Sequence, residues 1–343
     1  MSTFACKITR VEIRPHPNAD KLELATPVGT TWQCVTGKGN FVTGDLAIYL
    51  PIDSVLPQDL VVKLGIEKFC KTRIKTLRLR GELAQGLLAP LSILPEGVSF
   101  TEGADVAALL GITKYDPPIP VEMSGIQRKS DDRFSRYTDL ENAKNFPDVF
   151  KDGDFVVITE KIHGSSFRST KIASAFAANG VDDLHVGSHN CDLVESEGNL
   201  YWRAARLLDC QEKLEAGEIV YGEAYGNGVQ DLVYGMKPGD IFVKIFDIKK
   251  DDRFLPYGEM VQFLLKNGWE NMMVPVLYVG QWNKECLKFA DGMSILDPTQ
   301  IREGCVVKPM LKEEFSMELH GRKALKIISD RYLERKDNPT ERH

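Results

Sequence analysis

The chain has 343 residues, of which 43% are hydrophobic, and its formal net charge is −6. This is the composition of a folded globular protein with enough apolar residues for two cores. No segment approaches the run of about 18 apolar residues that a membrane-spanning helix needs, so we expect no membrane insertion. The seven cysteines form no CxxC pair, which argues against a secreted disulfide scaffold and favours a cytoplasmic protein with reduced thiols.

The charge is unevenly distributed along the chain. Residues 1–115 carry 13 Lys and Arg against 11 Asp and Glu, whereas the remainder carries 30 against 38. Within the first part, the segment KFCKTRIKTLRLR (68–80) holds six basic residues and no acidic one. A basic segment in an acidic chain indicates a phosphate-bearing partner, although a solvated strand face would explain the same pattern.

Residues 1–115 read as short strands separated by turns. The strand-like runs are KITRVEI, LELATPV, TWQCVTG, LAIYLPI, RIKTLRLR and QGLLAPL. Such short strands, punctuated by Gly, Asn and Asp, predict a small sandwich or barrel. The stretches HPNADKLELATPVG, VTGKGNFVTGDLAIYLPIDSVLP and LRLRGELAQGLLAPL resemble the tRNA-binding OB modules attached to some aminoacyl-tRNA synthetases. The resemblance implies an OB-type β-barrel that binds nucleic acid along a basic groove.

The rest of the chain changes character twice. Residues 116–140 are rich in Pro and mixed charge and predict a linker between the OB domain (1–115) and a second domain (141–343). The second domain mixes strand and helix patterns, so the fold class is α+β. Its predicted strands are DFVVITEKI, SFRSTKIA, EIVYGEAYG, DIFVKIFDI, MVPVLYVG, GCVVKPM and KALKIIS, and its predicted helices are LYWRAARLLDCQEKLEAG and PYGEMVQFLLKNGW.

The segment TEKIHGSSF (159–167) places a lysine at the end of an apolar strand. Period-two alternation puts Val157, Thr159 and Lys161 on one face of that strand. Gly164 then allows a sharp turn and a close approach of a ligand to the backbone. By itself the lysine is either a snorkelling surface charge or a nucleophile whose pKa is lowered by its surroundings.

Four further segments follow in order and favour the nucleophile. They are VYGEAYG (220–226), FVKIFDI (242–248), EGCVVKP (303–309) and ALKIIS (324–329). With TEKIHG, this ordered set resembles the motifs of the covalent nucleotidyltransferases, which comprise nucleic-acid ligases and capping enzymes. The KxHG form, the EGCVVKP form and the FxxxFDI run are most similar to ATP-dependent RNA ligases, and the OB-like start resembles the branch with an N-terminal OB domain.

The resemblance implies a role for each matching residue. Lys161 attacks the α-phosphorus of ATP and forms lysyl-AMP. The other matching residues contact the phosphates, hold the metal ion or bind the rest of the nucleotide. Lys308 and Lys326 contact the α-phosphate and lower the pKa of Lys161, and Glu223 and Glu303 hold Mg²⁺ or Mn²⁺, with a ribose contact as the alternative for Glu223. The other nucleotide-binding positions are Glu160 (adenine amino group), Ile162, His163, Gly164 and Phe246 (adenine stacking, or core packing).

The sequence departs from the family pattern at three positions. His163 replaces the aspartate of the KxDG form and is expected to orient a phosphate or a water. Ile328 stands where many relatives carry a second lysine, a role that Lys323 or Arg322 could take. His189 lies where an arginine often contacts the RNA end.

RNA phosphates are expected to meet a larger basic set. Its members are Lys71, Arg73, Lys75, Arg78, Arg80 and, with His189 in the second domain, Arg168. The predicted function is an ATP-dependent RNA ligase that seals 3′-OH and 5′-phosphate RNA ends, with nicks in a duplex as the expected substrate, in RNA repair and acts as a monomer. The alternatives are a DNA ligase, a capping-type nucleotidyltransferase, or a non-catalytic OB-fold RNA-binding protein.

Overall fold

The computed structural model describes residues 3–97, 100–116, 124–129, 131–173 and 183–335. The described residues form two compact units. The first unit draws on Met1–Pro117, Glu141–Asp148 and Asp330–His343, and the second on Pro118–Leu140 and Val149–Ser329. The boundaries expected at residues 115 and 141 stay a prediction. No helix in the described part of the chain is long and apolar enough to cross a membrane.

The first unit is built on an antiparallel sheet of five strands, in which the strands 34–37, 22–27, 7–15, 46–50 and 87–89 are neighbours in that order. Ile8, Ile48 and Leu50 are fully buried and pack with the helix 58–63 in one apolar core. The elements of this unit are β1 Lys7–Pro15, β2 Leu22–Pro27, β3 Cys34–Gly37, β4 Leu46–Leu50, β5 Ser54–Val55, α1 Gln58–Lys63, β6 Leu77–Leu79, β7 Glu82–Ala84, β8 Leu87–Ala89, β9 Thr113–Lys114, β10 Glu141–Asn142 and, at the far end of the chain, a short helix Asp330–Leu333.

The basic segment 68–80 contains the predicted strand RIKTLRLR (73–80), of which only a short part is a strand. Only Leu77–Leu79 is a strand, which pairs with β7 in a hairpin. Arg80 opens the turn with a positive φ of 51°. Upstream, Arg73 is 1% exposed, and its Nε lies 2.7 Å from Asp53 Oδ1. Because a buried ion pair fixes Arg73 inside the unit, the basic residues do not form one exposed row.

The second unit contains two larger antiparallel sheets and a two-stranded one, in which Phe315–Ser316 pairs with Gly321–Arg322. One larger sheet has the neighbouring strands β22-β19-β11-β18, and the other has six strands in the order β14-β13-β12-β15-β16-β17. The strands are β11 Phe155–Lys161, β12 Ser165–Ile172, β13 Asp183–Ser188, β14 Asp192–Leu193, β15 Glu218–Gly226, β16 Ile241–Lys250, β17 Arg253–Phe254, β18 Val276–Gln281, β19 Gly304–Pro309, β20 Phe315–Ser316, β21 Gly321–Arg322 and β22 Leu325–Ile328.

The helices of this unit pack on the six-stranded sheet. They are α2 Leu200–Leu207, α3 Cys210–Lys213 and α4 Tyr257–Lys266. Asn199 caps α2, since its side chain accepts hydrogen bonds from the amides of Tyr201 and Trp202. The sequence predicts one helix through residues 200–217, but Asp209 adopts a left-handed φ of 54° and divides it. Trp202, Trp269 and Leu264 are buried in the core beneath the sheet.

Candidate active site

The strand register places three lysines on one face of the β11-β19-β22 sheet. Across the sheet, Lys161 lies opposite Gly304, Val306 opposite Lys326, and Val157 opposite Lys308. Directly opposed residues of antiparallel strands share a face, and so do alternate residues of one strand. Lys161, Lys326 and Lys308 therefore point to the same side of the sheet. Lys326 is fully buried and Lys308 is 6% exposed.

Lys161 is ion-paired with the glutamate that precedes β19. Its Nζ donates to Glu303 Oε1 at 2.8 Å, and the lysine side chain is only 10% exposed. Burial tends to raise the pKa of Glu303, but the positive charges of Lys161 and His163 outweigh it, and the pKa of Glu303 is lowered. Gly304 permits this approach of strands, because a Cβ there would lie 2.1 Å from Ile327 O. The candidate nucleophile thus faces an ionised carboxylate.

A second carboxylate, Glu223, titrates differently. Its Oε1 accepts a hydrogen bond from the Gly164 amide at 3.1 Å. Burial raises the pKa of Glu223 to about 7, with Lys161 opposing the shift and Glu303 adding to it. A Cβ at Gly164 would lie 2.3 Å from Ala224 O, so only glycine fits where the turn meets β15. Two neighbouring carboxylates with pKa values moved in opposite directions are typical of active sites.

His163 is buried and has contacts on three sides. Its Nε2 hydrogen-bonds Asp231 Oδ1, its Nδ1 lies 3.6 Å from Glu303 Oε2, and its backbone amide donates to the Tyr234 hydroxyl at 2.6 Å. Burial opposes protonation, yet the carboxylates of Asp231 and Glu303 together raise the pKa of His163. The neighbouring Ile162 is 3% exposed and packs into the interior.

Lys308 belongs to a buried charge cluster around Asp247. Its Nζ donates to Asp247 Oδ2 at 3.0 Å and to Phe246 O at 2.9 Å. The same Asp247 Oδ2 accepts from Arg322 Nη1 at 2.6 Å. Burial lowers the pKa of Lys308. Burial alone would raise the pKa of Asp247, but the positive charges of Arg322 and Lys308 outweigh it, so the pKa of Asp247 is lowered. Asp247 is therefore a residue of the candidate site. It lies in the motif FVKIFDI, but the sequence predicted no role for it.

The position that lacks the second lysine has a clear neighbour in the sheet. Ile328 lies opposite Gly304, in the same row as Lys161, and is 3% exposed. Of the two alternatives, Lys323 pairs with Asp154 at 2.8 Å and with Glu314 at 3.1 Å. Arg322 instead shares Asp247 with Lys308, so the arginine is the one placed beside a predicted phosphate contact.

Phe246 sits in a β-bulge. Gly222 pairs with Ile245 and Tyr221 pairs with Asp247, which leaves Phe246 as the extra residue of β16. Its ring is partly exposed and meets the edge of Tyr137, with centroids 4.8 Å apart. Exposure along β16 still alternates through Phe242, Lys244 and Phe246, and the alternation breaks after the bulge, where Asp247 and Ile248 are both buried. Because the Phe246 ring is partly exposed, adenine could reach it, and adenine stacking stays a prediction.

Glu160 lies on the opposite face of β11 from Lys161, across from Cys305. It is 2% exposed, and its Oε2 accepts from the Ile295 amide at 2.8 Å. Among the described residues, Oε1 has no hydrogen-bond partner within bonding distance. Burial raises the pKa of Glu160, opposed by Ser294 and the Ile295 amide.

The predicted RNA contacts divide into exposed and buried residues. Lys71 and Arg80 are exposed, and Lys75 is partly buried, which lowers its pKa. Arg78 is 49% exposed, and its Nε lies 2.6 Å from Glu334 Oε1. Arg73, fixed to Asp53 inside the first unit, is not available to RNA, and the prediction there is wrong.

The two predicted RNA contacts in the second unit are Arg168, which is buried, and His189, which is partly buried. Arg168 is 2% exposed, its guanidinium lies 3.9 Å from the Phe134 ring centroid, and its Nε donates to Ser188 O at 2.9 Å. An RNA contact by Arg168 is therefore not supported. His189 lies 3.3 Å from Asp139, and burial lowers its pKa to about 4, so at neutral pH it offers a hydrogen bond without a charge.

No group of three or more His, Cys, Asp or Glu side chains in the described part of the chain is arranged to hold a metal ion. Glu303 Oε2 is nevertheless buried and accepts no hydrogen bond within the described residues, with His163 Nδ1 3.6 Å away. A cation held by two carboxylates and otherwise by water and phosphate oxygens, as Mg²⁺ prefers, fits this donor set. A preformed all-protein metal cage does not.

Comparison with known proteins matches this arrangement. A family model described as RNA ligase matches residues 154–328, and an OB-fold domain model matches residues 5–91. These matches confirm the predicted α+β class, with an OB-fold domain in front of a mixed α/β ligase domain. No curated protein matches the sequence.

Three solved structures of Naegleria gruberi RNA ligase resemble nearly the whole chain. A lysine-to-alanine variant with ATP and Mn is 30% identical, covers 96% of this chain and 98% of its own, and has a TM-score of 0.79. A glutamate-to-alanine variant with ATP and Mn has the same coverage, 29% identity and a TM-score of 0.81. The enzyme with PPi is 30% identical over 96% and 98%, with a TM-score of 0.79. The chain belongs to the RNA ligase family.

Proposed function

We propose that this RNA ligase uses ATP and a divalent cation to seal 3′-OH and 5′-phosphate RNA ends through lysyl-AMP and RNA-adenylate intermediates. The observation that carries the proposal is the three-lysine face, where Lys161 is ion-paired with Glu303 beside Glu223. The similar Naegleria ligase was solved with ATP, with AMP and with Mn, which supports the choice of nucleotide and metal.

Adenylylation would begin at Lys161. The neutral Nζ attacks the α-phosphorus, the P–N bond forms, and the bond to pyrophosphate breaks. In the free protein Nζ donates to Glu303 Oε1 at 2.8 Å, so a proton must leave the lysine before attack. Lys326 and Lys308 lie on the same sheet face and are suited to balance charge on the α-phosphate oxygens.

The adenosine would be held by one residue from β11 and one from β16. Glu160 Oε1, buried and without a hydrogen-bond partner among the described residues, is an acceptor for the adenine amino group. Phe246, whose ring is partly exposed at the bulge, supplies an aromatic face. Glu223 and Glu303 would hold the divalent cation through water. The cation would supply charge neutralisation and orientation of the pyrophosphate.

Transfer to RNA would follow in two further steps. A 5′-phosphate oxygen of RNA attacks the lysyl-AMP phosphorus and breaks the P–N bond, which returns Lys161. The 3′-hydroxyl then attacks the RNA 5′-phosphorus and releases AMP. The exposed basic residues Lys71, Arg78 and Arg80 are suited to bind phosphates of the strand.

The test is covalent labelling followed by sealing. Incubation with α-labelled ATP and Mg²⁺ or Mn²⁺ should leave label on the wild-type chain and none on Lys161→Ala, with the exposed Lys284→Ala as a matched control. Matched RNA, DNA and hybrid nicks, and single-stranded ends, then define the substrate. A wild type that stays unlabelled, or Lys161→Ala labelled as strongly, would refute the proposal. Sealing of DNA alone would favour a DNA ligase.

A further inference from the structure

One short segment, NGVQDLVYG (227–235), contacts the loop that follows the nucleophile. Two of its side chains reach His163. Asp231 Oδ1 hydrogen-bonds the ring Nε2, and the Tyr234 hydroxyl accepts from the backbone amide at 2.6 Å. A histidine held at both its ring and its main chain has little freedom to rotate, because each hydrogen bond fixes a different torsion.

A third side chain of this segment holds the next residue of the loop. Gln230 Nε2 donates to Gly164 O at 3.2 Å. The amide of Gly164 is bound on its other side by Glu223 Oε1 at 3.1 Å. Hydrogen bonds from neighbouring elements therefore hold the turn after Lys161 at both His163 and Gly164. The shape of this turn does not depend on β11 and β12 alone.

Tyr234 is itself held in an unusual conformation. Its φ is 50°, in the left-handed region that non-glycine residues rarely adopt. The ring is 6% exposed and meets Tyr225 edge-on, with centroids 5.1 Å apart, while its amide donates to Gln300 Oε1 at 3.2 Å. Strained backbone that the surroundings hold in place is concentrated at functional sites. In this conformation the Tyr234 hydroxyl accepts the hydrogen bond from the His163 amide.

On the side away from Asp231, the His163 ring faces the ion pair of Lys161 and Glu303. Its Nδ1 lies 3.6 Å from Glu303 Oε2, and the other oxygen of Glu303 accepts from Lys161 at 2.8 Å. The His163 ring thus lies between Asp231 and Glu303, and the side chain of Asp231 is 36% exposed. A shift of the ring would change the surroundings of the carboxylate that Lys161 contacts.

We propose that Asp231 and Tyr234 are positioning residues that hold His163 against Glu303 and thereby fix the nucleophile loop for adenylylation. The inference rests on the proposed function, since it concerns the same reaction. It also gives the histidine of the KxHG form a specific partner, because the imidazole at this position is backed by a carboxylate from a separate segment.

The test is the single-turnover rate of label transfer from α-labelled ATP to the protein, with Asp231→Ala, Asp231→Asn, Tyr234→Phe and the exposed Asp240→Ala as control. Removing the partner that orients a metal-ligating histidine typically costs roughly 10- to 100-fold, and we take the same range for the partner of His163. We expect Asp231→Ala to show such a loss, with a smaller loss in Tyr234→Phe. Asp231→Asn should recover part of the rate, because its amide oxygen still accepts from the ring.

A double-mutant cycle with His163→Ala decides whether Asp231 acts through the histidine. If it does, adding Asp231→Ala to His163→Ala changes the rate by less than about twofold, since residues in one hydrogen-bond network are not additive. Losses that multiply, or an Asp231→Ala rate equal to wild type, would overturn the inference. Should Asp231→Ala fail to fold, Asp231→Asn carries the same cycle.

The two proposals fail in distinguishable ways. If the wild type takes no label, the proposed function is wrong. If the wild type is labelled and the Asp231 variants behave as the control does, only the positioning role is wrong. Urea unfolding of each variant shows whether a slow rate reflects a loss of folded protein.

Discussion

Replacing Glu223 by glutamine should stabilise the protein at alkaline pH while it removes the negative charge from the active site. The perturbation is small in shape, because the amide oxygen of Gln can still accept from Gly164, as Glu223 Oε1 does at 3.1 Å. Its effect on charge is large, since burial, with a contribution from Glu303, raises the pKa of Glu223 from 4.5 to about 7 against the opposing charge of Lys161.

The sign follows from proton binding. The folded chain keeps the proton of Glu223 up to about pH 7, whereas the unfolded chain releases it near 4.5. Between these values the folded state binds more protons, so the free energy of unfolding falls as pH rises and stays reduced above pH 7. A shift of this size corresponds to about 3 kcal/mol, which partial exposure of the side chain reduces to roughly 1–2 kcal/mol.

The assay is urea unfolding with a chelator at pH 5 and pH 8.5, followed by tryptophan fluorescence. Trp202, Trp269 and Trp282 lie in the second unit and only Trp32 in the first, so the signal reports mainly the unit that carries Glu223. Glu223→Gln should gain roughly 1–2 kcal/mol over wild type at pH 8.5 and clearly less at pH 5. The exposed Glu197→Gln should show no such change. An equal difference at both pH values would refute the reasoning.

The remaining expectations concern packing, buried charge and RNA affinity. Gly164→Ala places a Cβ 2.3 Å from the nearest carbonyl oxygen and should cost roughly 1–3 kcal/mol in thermal unfolding, whereas Gly198→Ala, where a Cβ meets nothing within 4 Å, should change little. Asp247→Ala leaves a buried lysine and arginine without their shared carboxylate and should cost roughly 3–5 kcal/mol in urea unfolding; a cost below about 1 kcal/mol would contradict a buried cluster. Replacing Lys71 and Arg80 by alanine should lower the slope of log affinity for single-stranded RNA against log salt by roughly 1–1.5. An unchanged slope would place the RNA elsewhere.

The arrangement of the three lysines was within reach of the sequence. Period-two alternation predicts the side of β11 on which Lys161 lies, and the ordered motifs identify Lys308 and Lys326. What alternation cannot supply is the pairing of strands distant in sequence. The register that sets Lys161 against Gly304, and with it Glu303 against the lysine, appears only in the folded sheet.

The errors have specific physical causes. Period-two alternation holds through Phe246 but does not foresee the β-bulge there, after which Asp247 and Ile248 are both buried. Arg73 and Arg168 looked like RNA contacts because charge is usually exposed, yet both are buried against partners far along the chain. The Asp231 contact to His163 spans 68 residues and carries no local signal beyond a carboxylate in a glycine-bounded loop.

The most direct test of the central claim is the identity of the adenylylated residue. After incubation with ATP and Mg²⁺, wild-type protein should gain the mass of one AMP moiety on the peptide that contains Lys161. The adduct should be lost on treatment with acid, which cleaves a phosphoramidate, and should disappear on addition of excess pyrophosphate. An adduct on another residue, or an unmodified protein that nevertheless seals RNA, would contradict the assignment of Lys161 as the nucleophile.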